Sequence, residues 1–545
     1  MTFAVLGWNL DKIWHLYLWK DNKEKVLTMP DEEYLNESLR KIAKGAGIGF
    51  SGAFIGMAFG YFSRIVIARF LGPGDYGLIT LGVAGMSIAA TLASVGLPSG
   101  IRRFVSFYKG KGDKGRMKGT IVGAIKICFP LSLFLAILTF IGADWISINV
   151  FHEANLTPIL RIFAIAIPFS VLAQIFISST IGFQDLRYKV YVNDIFQNTF
   201  KLVAIISLLL LGFGVLGATW GWVLAIILTP FLAFYFLEKK LFPVSHSKIK
   251  SIPVEKELFS FSWPLIFVSV AGLVIGWTDT LMIGYFSTAS DVGIYNVALP
   301  TAMLLMNITV AFSMIFLPVA SELYARNRID DLRTAYSAVT KWVFSLTLPI
   351  FLLMALFSES IIRLIFGSAY IHGAIVLSIL AAGFFIDSAT GPVGSITQIY
   401  GRTKINMGCS FIGAGANFTL NLLLIPVCGI EGAAIATASS YILMKIALLI
   451  CAYRIAGTQP YKLSYLKPLF ASVIAVSVVY VATKYFIGVS FISLAVMFFV
   501  FLLLYFFLLL IFKSFEEEDL MIMRAIDERL GTKSEWARKI IRRFL

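Results

Sequence analysis

The sequence predicts an all-α integral membrane protein with about fourteen transmembrane helices, arranged as two pseudo-symmetric six-helix lobes followed by two C-terminal helices. Three observations predict this class. Of the 545 residues, 58% are hydrophobic and 14% are charged, whereas soluble domains carry about 25% charged residues. Apolar stretches of about 20 residues recur along the whole chain. Parts of the sequence also return later in the chain, which indicates an internal repeat.

The internal repeat is visible in two pairs of segments. Ile67–Leu78 is similar to Ile283–Ile294, and Leu210–Ala218 is similar to Ile425–Ala433. Nearly the same offset separates the members of both pairs, so the two ends of one half align with the two ends of the other. Repeats in apolar sequence are typical of transporters whose substrate path runs between two halves near the middle of the bilayer. The chain is therefore predicted to consist of two similar lobes.

The apolar stretches and the repeat together give the predicted boundaries. We place the spans near 44–70, 78–98, 119–142, 158–182, 189–213, 215–237, 258–285, 293–320, 336–358, 369–399, 404–427, 430–452, 464–487 and 490–512. The predicted organisation is an interfacial N-terminal segment (1–43), an N-lobe (44–240), an inter-lobe cytoplasmic loop (241–257), a C-lobe (258–455), two added helices (464–512) and an amphipathic tail (513–545).

Positive charges are concentrated in every second predicted loop. The first such loop carries Arg102, Arg103, Lys109, Lys111, Lys114, Arg116 and Lys118 against Asp113. Because cytoplasmic loops are enriched in Lys and Arg, this side is predicted to be cytoplasmic, with both termini inside and a multi-pass location in the cytoplasmic membrane. The net charge of +15 is then largely an orientation signal, and it does not predict nucleic acid binding.

The terminal segments and one outer loop carry weaker signals. Residues 1–43 lack the basic start and small-residue cleavage site of a signal peptide, and their tryptophans suit a membrane interface. Trp536, Ile540 and Phe544 form an apolar stripe among basic residues, which predicts a helix on the anionic inner leaflet. Asn155-Leu156-Thr157 is a glycosylation sequon on the predicted outer face, and its use depends on the host.

Motifs for catalysis are missing from the sequence. It contains neither a Gly-rich phosphate loop ending in Lys-Ser or Lys-Thr nor a His-Glu-x-x-His motif, and its four histidines are scattered. Gly47–Gly52 fits a dinucleotide fingerprint, but no strand precedes it, and close packing of membrane helices through small residues explains it better. The chain is therefore predicted not to be an enzyme and to hold neither a metal nor a cofactor.

Polar and ionisable residues inside the apolar spans are the candidate functional residues. Each charge costs about 2.5–3.5 kcal/mol at the centre of a membrane helix, so we expect it to face protein or a water-filled cavity. In the fifth span, Asp194, Asn198 and Lys201 recur at helical spacing on one face. The candidates for a central substrate cavity are Arg64, Lys126, Asp194, Asn198, Lys201, Asp279, Asn307, Asp387 and Asn417.

Structural alternatives stay open for some of these candidates. Arg64 and Asp279 lie at nearly corresponding depths in the two lobes. They either act on the substrate or form an ion pair that holds the lobes together. Asp194 and Lys201 either neutralise each other along one helix or leave Lys201 free to face the cavity.

Three further features lie near span ends. Arg102 and Arg103 are either orientation charges or the cytoplasmic entrance for an anionic head group. Asp75 and Asp291 occupy corresponding positions after turns, and we interpret them as helix N-terminal caps. Gly391-Pro392 predicts a bend in the tenth span.

Several segments resemble one family of membrane transporters. The resemblance rests on Arg69–Gly77, Gly96-Leu97-Pro98 with Arg102-Arg103-Phe104, Asp279 before Ile283-Gly284, and Ile425-Pro426 with Gly429–Ala434. These segments are similar to the polysaccharide-export branch of the multidrug/oligosaccharidyl-lipid/polysaccharide (MOP) exporter superfamily. The likeness implies a flippase that moves lipid-linked oligosaccharide to the outer face by alternating access of two six-helix lobes, for polysaccharide or surface glycan biosynthesis. Its implied partners are the lipid-linked glycan, membrane lipids and, as candidates, glycan assembly enzymes.

The polar residues agree with that resemblance and leave two alternatives. Burying an unpaired sugar hydroxyl costs about 1–3 kcal/mol, so a polar cavity between the lobes would remove the barrier to flipping. Arg64, Lys126 and Lys201 could neutralise a polyprenyl phosphate or diphosphate, while the carboxylates keep open a multidrug (cation) antiporter of the related type. A membrane-bound glycan enzyme is a more distant alternative. A coupling ion, Na⁺ or H⁺, is compatible with these schemes but not required, and a monomer is favoured.

Overall fold

The predicted all-helical class is confirmed by the computed structural model of the chain. The structure describes residues 32–245, 249–461, 463–483, 485 and 491–515, and the side chains of 51–245, 249–461, 463–483, 485 and 496–515. Within these ranges the regular elements are helices, and no strand occurs. The predicted segment before residue 32 and the predicted amphipathic tail after residue 515 lie outside the described residues.

The first half of the chain forms the N-lobe, which we define as residues 51–241. Backbone contacts divide the chain after Ala46, and both lobes lie in the unit that follows. The helices of this half are Glu32–Ser94, Leu97–Gly110, Lys114–Trp145, Leu156–Gly182, Leu186–Lys189, Gln197–Leu210 and Gly214–Phe236. Three π-helical turns adjoin them, Ile146–Val150, Val190–Phe196 and Leu237–Leu241.

The second half forms the C-lobe, which we define as residues 265–456. Its helices are Leu265–Phe286, Ala289–Ala302, Leu304–Ala325, Ile329–Leu356, Ser358–Ile365, Gly373–Ala389, Val393–Ile399 and Thr403–Ala456. The helix Glu255–Ser262 precedes this lobe, and the helices Leu466–Ala482 and Phe491–Ile511 follow it. The last two pack on each other and on Ile329–Leu356 through an apolar cluster that includes Phe357, Val476 and Phe501.

Two of the long helices are interrupted by a single glycine. Glu32–Ser94 has non-helical backbone angles at Gly72 (φ 79°), and Thr403–Ala456 has them at Gly429 (φ 56°). Glycine adopts positive φ at little cost, so each turn between two predicted spans needs only one residue. Counted by length and hydropathy alone, ten of the described helices could cross a membrane. The number fourteen stays a prediction.

Two predictions about span ends are confirmed, those for Asp291 and Gly391, whereas the capping role of Asp75 stays a prediction. Thr288 and Asp291 form a capping box at the start of Ala289–Ala302, in which Thr288 Oγ1 accepts from the Asp291 backbone N–H at 3.2 Å. The Asp291 carboxylate accepts from the Thr288 backbone N–H at 3.4 Å. Asp291 therefore caps the helix as the third residue of the capping box, with Thr288 at the N-cap position. In the tenth span, Gly391 has a φ of 61°, and the helix is interrupted between Ala389 and Val393.

The loops alternate between two ends of the lobes. One end, which we call the basic end, carries the connections near residues 111–113, 183–185, 242–254, 326–328, 400–402 and 457–461. The opposite end carries the connections near residues 72–75, 151–155, 211–213, 287–288, 357–372 and 429. The lysines and arginines that predict orientation therefore lie together at the basic end.

Among the described side chains, the apolar core is continuous between the lobes only at the opposite end. One buried cluster joins Ile67 and Tyr76 of the N-lobe to Ile283 and Tyr295 of the C-lobe. Towards the basic end, the N-lobe has its own cluster around Ile101, and the C-lobe has a separate one. Because close packing and interhelical hydrogen bonds hold membrane helices together, the lobes are held together chiefly at the opposite end.

The segment between the lobes packs on the N-lobe. The Ile252 backbone N–H donates to the Gly115 carbonyl at 3.1 Å, and a Cβ on Gly119 would lie 1.8 Å from the Ile252 carbonyl oxygen. Tyr108 donates to Glu257 at 3.0 Å. Burial and the neighbouring Glu257 raise the pKa of Tyr108, which keeps the donating hydroxyl protonated. By its contacts, the segment up to Ser262 therefore belongs with the N-lobe.

Candidate functional site

Lys201 is the central residue of a polar cluster in the N-lobe. It lies on Gln197–Leu210, directly after the π-helical turn Val190–Phe196. Lys201 Nζ donates to Asn198 Oδ1 at 3.0 Å and lies 4.8 Å from the centre of the Trp222 ring. An ammonium over an indole face is attracted by the ring quadrupole, so Trp222 holds the lysine without neutralising it.

Arg64 is the second cation of this cluster. Its guanidinium lies near the hydroxyls of Tyr61 and Tyr76 and within electrostatic range of Lys201. Among the side chains that the structure describes, no carboxylate lies within ion-pair distance of Arg64 or Lys201. Two like charges without a counter-charge make this part of the N-lobe strongly attractive for an anion.

Asp194 is neutralised by a residue other than Lys201. Its carboxylate is buried, accepts from Lys189 Nζ at 2.8 Å and from Asn193 at 2.9 Å. The alternative in which Asp194 and Lys201 neutralise each other is therefore not the observed one. Asp194 also lies where Gly56 crosses the π-helical turn, since a Cβ on Gly56 would meet the Asp194 carbonyl oxygen at 2.9 Å.

The three remaining N-lobe candidates lie towards the basic end. Lys126 has an exposed side chain that pairs with Glu255 at 3.5 Å. The Arg103 guanidinium stacks over the Phe261 ring at 4.2 Å, and Arg102 donates to the Pro98 carbonyl at 3.2 Å. These residues are separate from the Arg64–Lys201 cluster, so they suit an entrance better than a central site.

Asp279 is the centre of a buried cluster in the C-lobe. Asn417 and Asn421 donate to Asp279 Oδ1 at 3.0 and 2.6 Å, while Tyr295 and Thr437 donate to Oδ2 at 2.7 and 2.5 Å. All four donors are neutral. Tyr295 lies on the next helix, Ala289–Ala302, and the other three lie on the two halves of Thr403–Ala456 that Gly429 separates. The alternative of an Arg64–Asp279 ion pair is not observed among the described residues.

Two buried oxygens in the Asp279 cluster lack a partner. Asn417 Oδ1 and Asn421 Oδ1 are shielded from solvent and accept no hydrogen bond from the described residues. A buried acceptor without a donor costs about 1–3 kcal/mol. A carboxylate with adjacent amide and hydroxyl oxygens is a ligand set for a hard cation. No cluster of three or more His, Cys, Asp or Glu residues suitable for a metal occurs in the described part of the chain.

The last two C-lobe candidates lie apart from Asp279. Asp387 is buried and pairs with Lys445 at 3.2 Å. Asn307 is half-buried on Leu304–Ala325, shortly after the helix is interrupted at Met303. The sequence signals Asn421 through its spacing from Asn417, but nothing in the sequence signals Tyr295, Thr437 or Trp222, because such residues are ordinary in membrane helices.

Polar contacts join the lobes at the opposite end. Tyr61 and Thr301 share a hydrogen bond of 2.7 Å, and Tyr76 donates to the Asn296 carbonyl at 3.3 Å. We call the contacts of residues 61–77 with residues 289–301 and 364–370 the inter-lobe seal. It lies at the same end as the shared core, so packing and hydrogen bonds join the lobes at the same end.

Comparisons with known proteins match this architecture. A family model described as "Polysaccharide biosynthesis protein" matches residues 42–324, and a model described as "MatE" matches residues 264–423. An uncharacterized membrane protein of Methanocaldococcus jannaschii is 24% identical over 419 residues, which cover 74% of this chain and 83% of that protein. The probable low-salt glycan biosynthesis flippase Agl15 of Haloferax volcanii is 29% identical over 186 residues, 34% of this chain and 39% of that one.

A solved structure shares the fold. The inward closed conformation of the lipid II flippase MurJ superposes with a TM-score of 0.68 at 18% sequence identity. The match covers 87% of this chain and 99% of the other. This chain therefore shares the fold of that flippase.

Proposed function

The chain belongs to the polysaccharide biosynthesis protein family, within the flippase branch of the MOP superfamily, and from that premise we propose that it flips a polyprenyl phosphate- or diphosphate-linked oligosaccharide from the cytoplasmic to the outer face of the membrane. It is a multi-pass transporter rather than an enzyme. The proposal concerns the substrate, the direction of transport and the residues that bind the head group.

The pair of unneutralised cations in the N-lobe carries this proposal. Arg64 lies within electrostatic range of Lys201, and Lys201 Nζ lies 4.8 Å from the centre of the Trp222 ring. Each charge would be costly in an apolar environment, and a phosphate supplies the missing negative charge with several acceptor oxygens. The Trp222 ring and the Asn198 amide are suited to a sugar, which has both apolar faces and hydroxyls. An anionic glycan head group satisfies both requirements.

The direction follows from which end is sealed. The inter-lobe seal closes the opposite end, and Arg102, Arg103 and Lys126 lie towards the basic end. If the basic end is cytoplasmic, as loop charge predicts, a head group made inside the cell reaches Arg64 and Lys201 from that side. Outward movement of each negative charge is also favoured by about 2.3 kcal/mol per 100 mV of inside-negative potential.

The Asp279 cluster supports a role for a coupling cation. Its carboxylate has only neutral donors, and the adjacent amide oxygens of Asn417 and Asn421 have no partner. A bound Na⁺ would be coordinated by such oxygens after small rotations of the amides, and a proton would neutralise the carboxylate directly. We include Na⁺ or H⁺ as the coupling ion of the proposed transport cycle.

A multidrug antiporter is the second candidate, since the MatE model matches residues 264–423. An exporter of organic cations requires an accessible carboxylate. Among the described residues inside the spans, Asp279 accepts four hydrogen bonds, Asp387 is paired with Lys445, and Asp194 is paired with Lys189. Asp387 and Asp194 are paired with lysines and Asp279 accepts four hydrogen bonds, whereas no carboxylate pairs with Arg64 or Lys201, so the charge balance of the N-lobe favours an anionic substrate.

Reconstitution tests the proposed function directly. Purified protein is placed in vesicles with a fluorescent polyprenyl diphosphate-linked sugar, and a membrane-impermeant quencher measures its transfer between leaflets. Lys201→Met keeps the length of the side chain but removes the charge, and loss of one charge-assisted hydrogen bond predicts transfer slower by about tenfold or more.

The control for that experiment is Lys404→Met, an equivalent change at an exposed position of the basic end. It should leave the transfer rate near that of the wild type. Wild-type transfer by a folded Lys201→Met protein would remove Lys201 from the site. Transport of an organic cation but not of the lipid-linked sugar by the wild type would favour the antiporter.

A further inference from the structure

Two glycines lie where the backbones of the two lobes are in contact. A Cβ added to Gly77 would lie 1.7 Å from the Ala289 carbonyl oxygen, and a Cβ added to Gly293 would lie 2.0 Å from the Pro73 carbonyl oxygen. Real Cβ atoms essentially never approach another atom within 3.0 Å. The backbones of the two lobes therefore touch at these points, and a methyl group at either glycine would have to separate them.

The two contacts are one contact repeated by the internal symmetry. Gly77 and Gly293 occupy corresponding positions of the repeated segments, and so do Pro73 and Ala289. Gly77 contacts Ala289, which lies four residues before Gly293, and Gly293 contacts Pro73, which lies four residues before Gly77. This reciprocity is the pattern of an isologous two-fold interface, here formed within one chain. It explains physically why this part of the sequence is repeated.

Local backbone geometry does not require these glycines. Neither Gly77 nor Gly293 has a positive φ, and both lie within helices. Glycine is the least favourable helix residue apart from proline, so alanine would be the better choice for the helices themselves. Close approach of the lobes is therefore the reason for a glycine at each position.

Hydrogen bonds around the glycines use free backbone carbonyls as acceptors. Pro300 has no N–H, which leaves the Asn296 carbonyl free for Tyr76. Arg69 donates through Nε to the Ile365 carbonyl at 2.7 Å and through Nη2 to the Leu364 carbonyl, at the C-terminal end of Ser358–Ile365. These bonds can break and re-form when the lobes separate, because each carbonyl is already at a helix end or opposite a proline.

We propose that the reciprocal contact of Gly77 and Gly293 is the gate at the opposite end, and that these two glycines set the balance between its closed and open states. The proposal rests on the alternating access of the proposed function, but it concerns the position of equilibrium and no substrate. A methyl group at either glycine forces the touching backbones apart and destabilises the closed state only. Arg69 is the latch that holds the loop 357–372 of the C-lobe against the first helix.

Distance measurements between the lobes test the gate. Spin labels are attached to cysteines at Asn155 and Glu359, both exposed at the opposite end, in protein whose four native cysteines are replaced. Gly77→Ala and Gly293→Ala should each raise the ratio of open to closed populations by about tenfold, because overpacking at this contact is relieved on opening. The double variant should open no further than either single variant, since both methyl groups separate the same contact.

Matched glycines provide the controls. A Cβ at Gly74 or at Gly276 would meet nothing within 4 Å, and neither residue has a positive φ. Gly74→Ala and Gly276→Ala should therefore keep the wild-type distance distribution. Wild-type distances in both Gly77→Ala and Gly293→Ala, or an equal shift in Gly74→Ala, would overturn the proposal.

A variant that adds no atoms at the glycine contact tests the gate if an alanine variant fails to fold. Arg69→Gln removes the latch to the Leu364 and Ile365 carbonyls, and it should also increase the open population, by about threefold to tenfold. An unchanged distribution in folded Arg69→Gln would exclude the latch. The distances do not depend on a substrate, so an opened gate together with a failed reconstitution assay would contradict the proposed function and leave the gate intact.

Discussion

The two lobes share one architecture, but their buried charged residues have different kinds of partners. Arg64 of the N-lobe and Asp279 of the C-lobe lie at nearly corresponding positions of the repeat and have opposite charge. Arg64 lies near another cation, Lys201, without a carboxylate, whereas Asp279 accepts four hydrogen bonds. The symmetric positions that both lobes keep are backbone contacts such as Gly77 and Gly293. The repeat therefore keeps the glycine contact of the proposed gate in both lobes, whereas the charged residues proposed to bind the substrate and the ion differ between the lobes.

The largest expected effect concerns a buried ion pair of the C-lobe, and it tests whether these two charges neutralise each other. Asp387 and Lys445 form a pair whose side chains are 2% and 16% exposed. Asp387→Leu or Lys445→Met alone leaves one buried charge without a partner and should lower the free energy of unfolding by about 3–5 kcal/mol. The double variant should recover most of that loss. Thermal unfolding in detergent measures all three variants.

Additive losses in the double variant would contradict this interpretation of the pair. They would mean that Asp387 and Lys445 are each held by other groups, and the C-lobe would then contain charges as free as those of the N-lobe. The Lys404→Met protein, changed at an exposed lysine, is the control for the general effect of removing one positive charge.

The second prediction sharpens the role of Asp279. Asp279→Asn removes the charge and leaves part of the cluster with two donors facing each other, so the free energy of unfolding should fall by about 1–3 kcal/mol. If Na⁺ binds here, replacing choline chloride by NaCl should raise the unfolding temperature of the wild type and not that of Asp279→Asn. The Lys404→Met protein should keep the sodium response of the wild type.

The salt comparison also separates the two coupling ions. A wild-type unfolding temperature that does not respond to Na⁺ would exclude Na⁺ as the ion bound at Asp279 and leave H⁺ as the candidate coupling ion. Full retention of the sodium response in Asp279→Asn would place the ion elsewhere in the chain.

Much of the fold could be predicted from the sequence because it depends on local or periodic signals. Apolar length predicted the helices, the repeat predicted two lobes, and the capping role of Asp291 and the break at Gly391 followed from residue types alone. The candidate residues could be chosen because a charge in an apolar span is conspicuous, and their roles stay predictions. Residue types and spacing do not show which of these charged residues share a site.

The partners of the charged residues could not be predicted, because they depend on tertiary packing. Asp194 is paired with Lys189, which lies before the π-helical turn, and Lys201 is held by Trp222 of the next helix. Asp279 is bonded by Asn417 and Thr437, which lie far along the chain. Helical spacing shows which residues share a face of one helix, but it does not show which other helix that face meets.

The smallest expected effect concerns Lys126, which the sequence groups with Arg64 and Lys201. Its side chain is 66% exposed and lies 3.5 Å from Glu255, a long and solvent-accessible ion pair. Such pairs contribute about 0–1 kcal/mol, so Lys126→Met should change the free energy of unfolding by less than about 0.5 kcal/mol and leave lipid-linked sugar transfer within about twofold of the wild type. Glu255→Gln, which removes the other partner, should behave in the same way. A transfer rate reduced as strongly as in Lys201→Met, in folded protein, would show that Lys126 binds the head group, and the free cations of the N-lobe would then form a path from the basic end to Arg64 instead of a single central cluster.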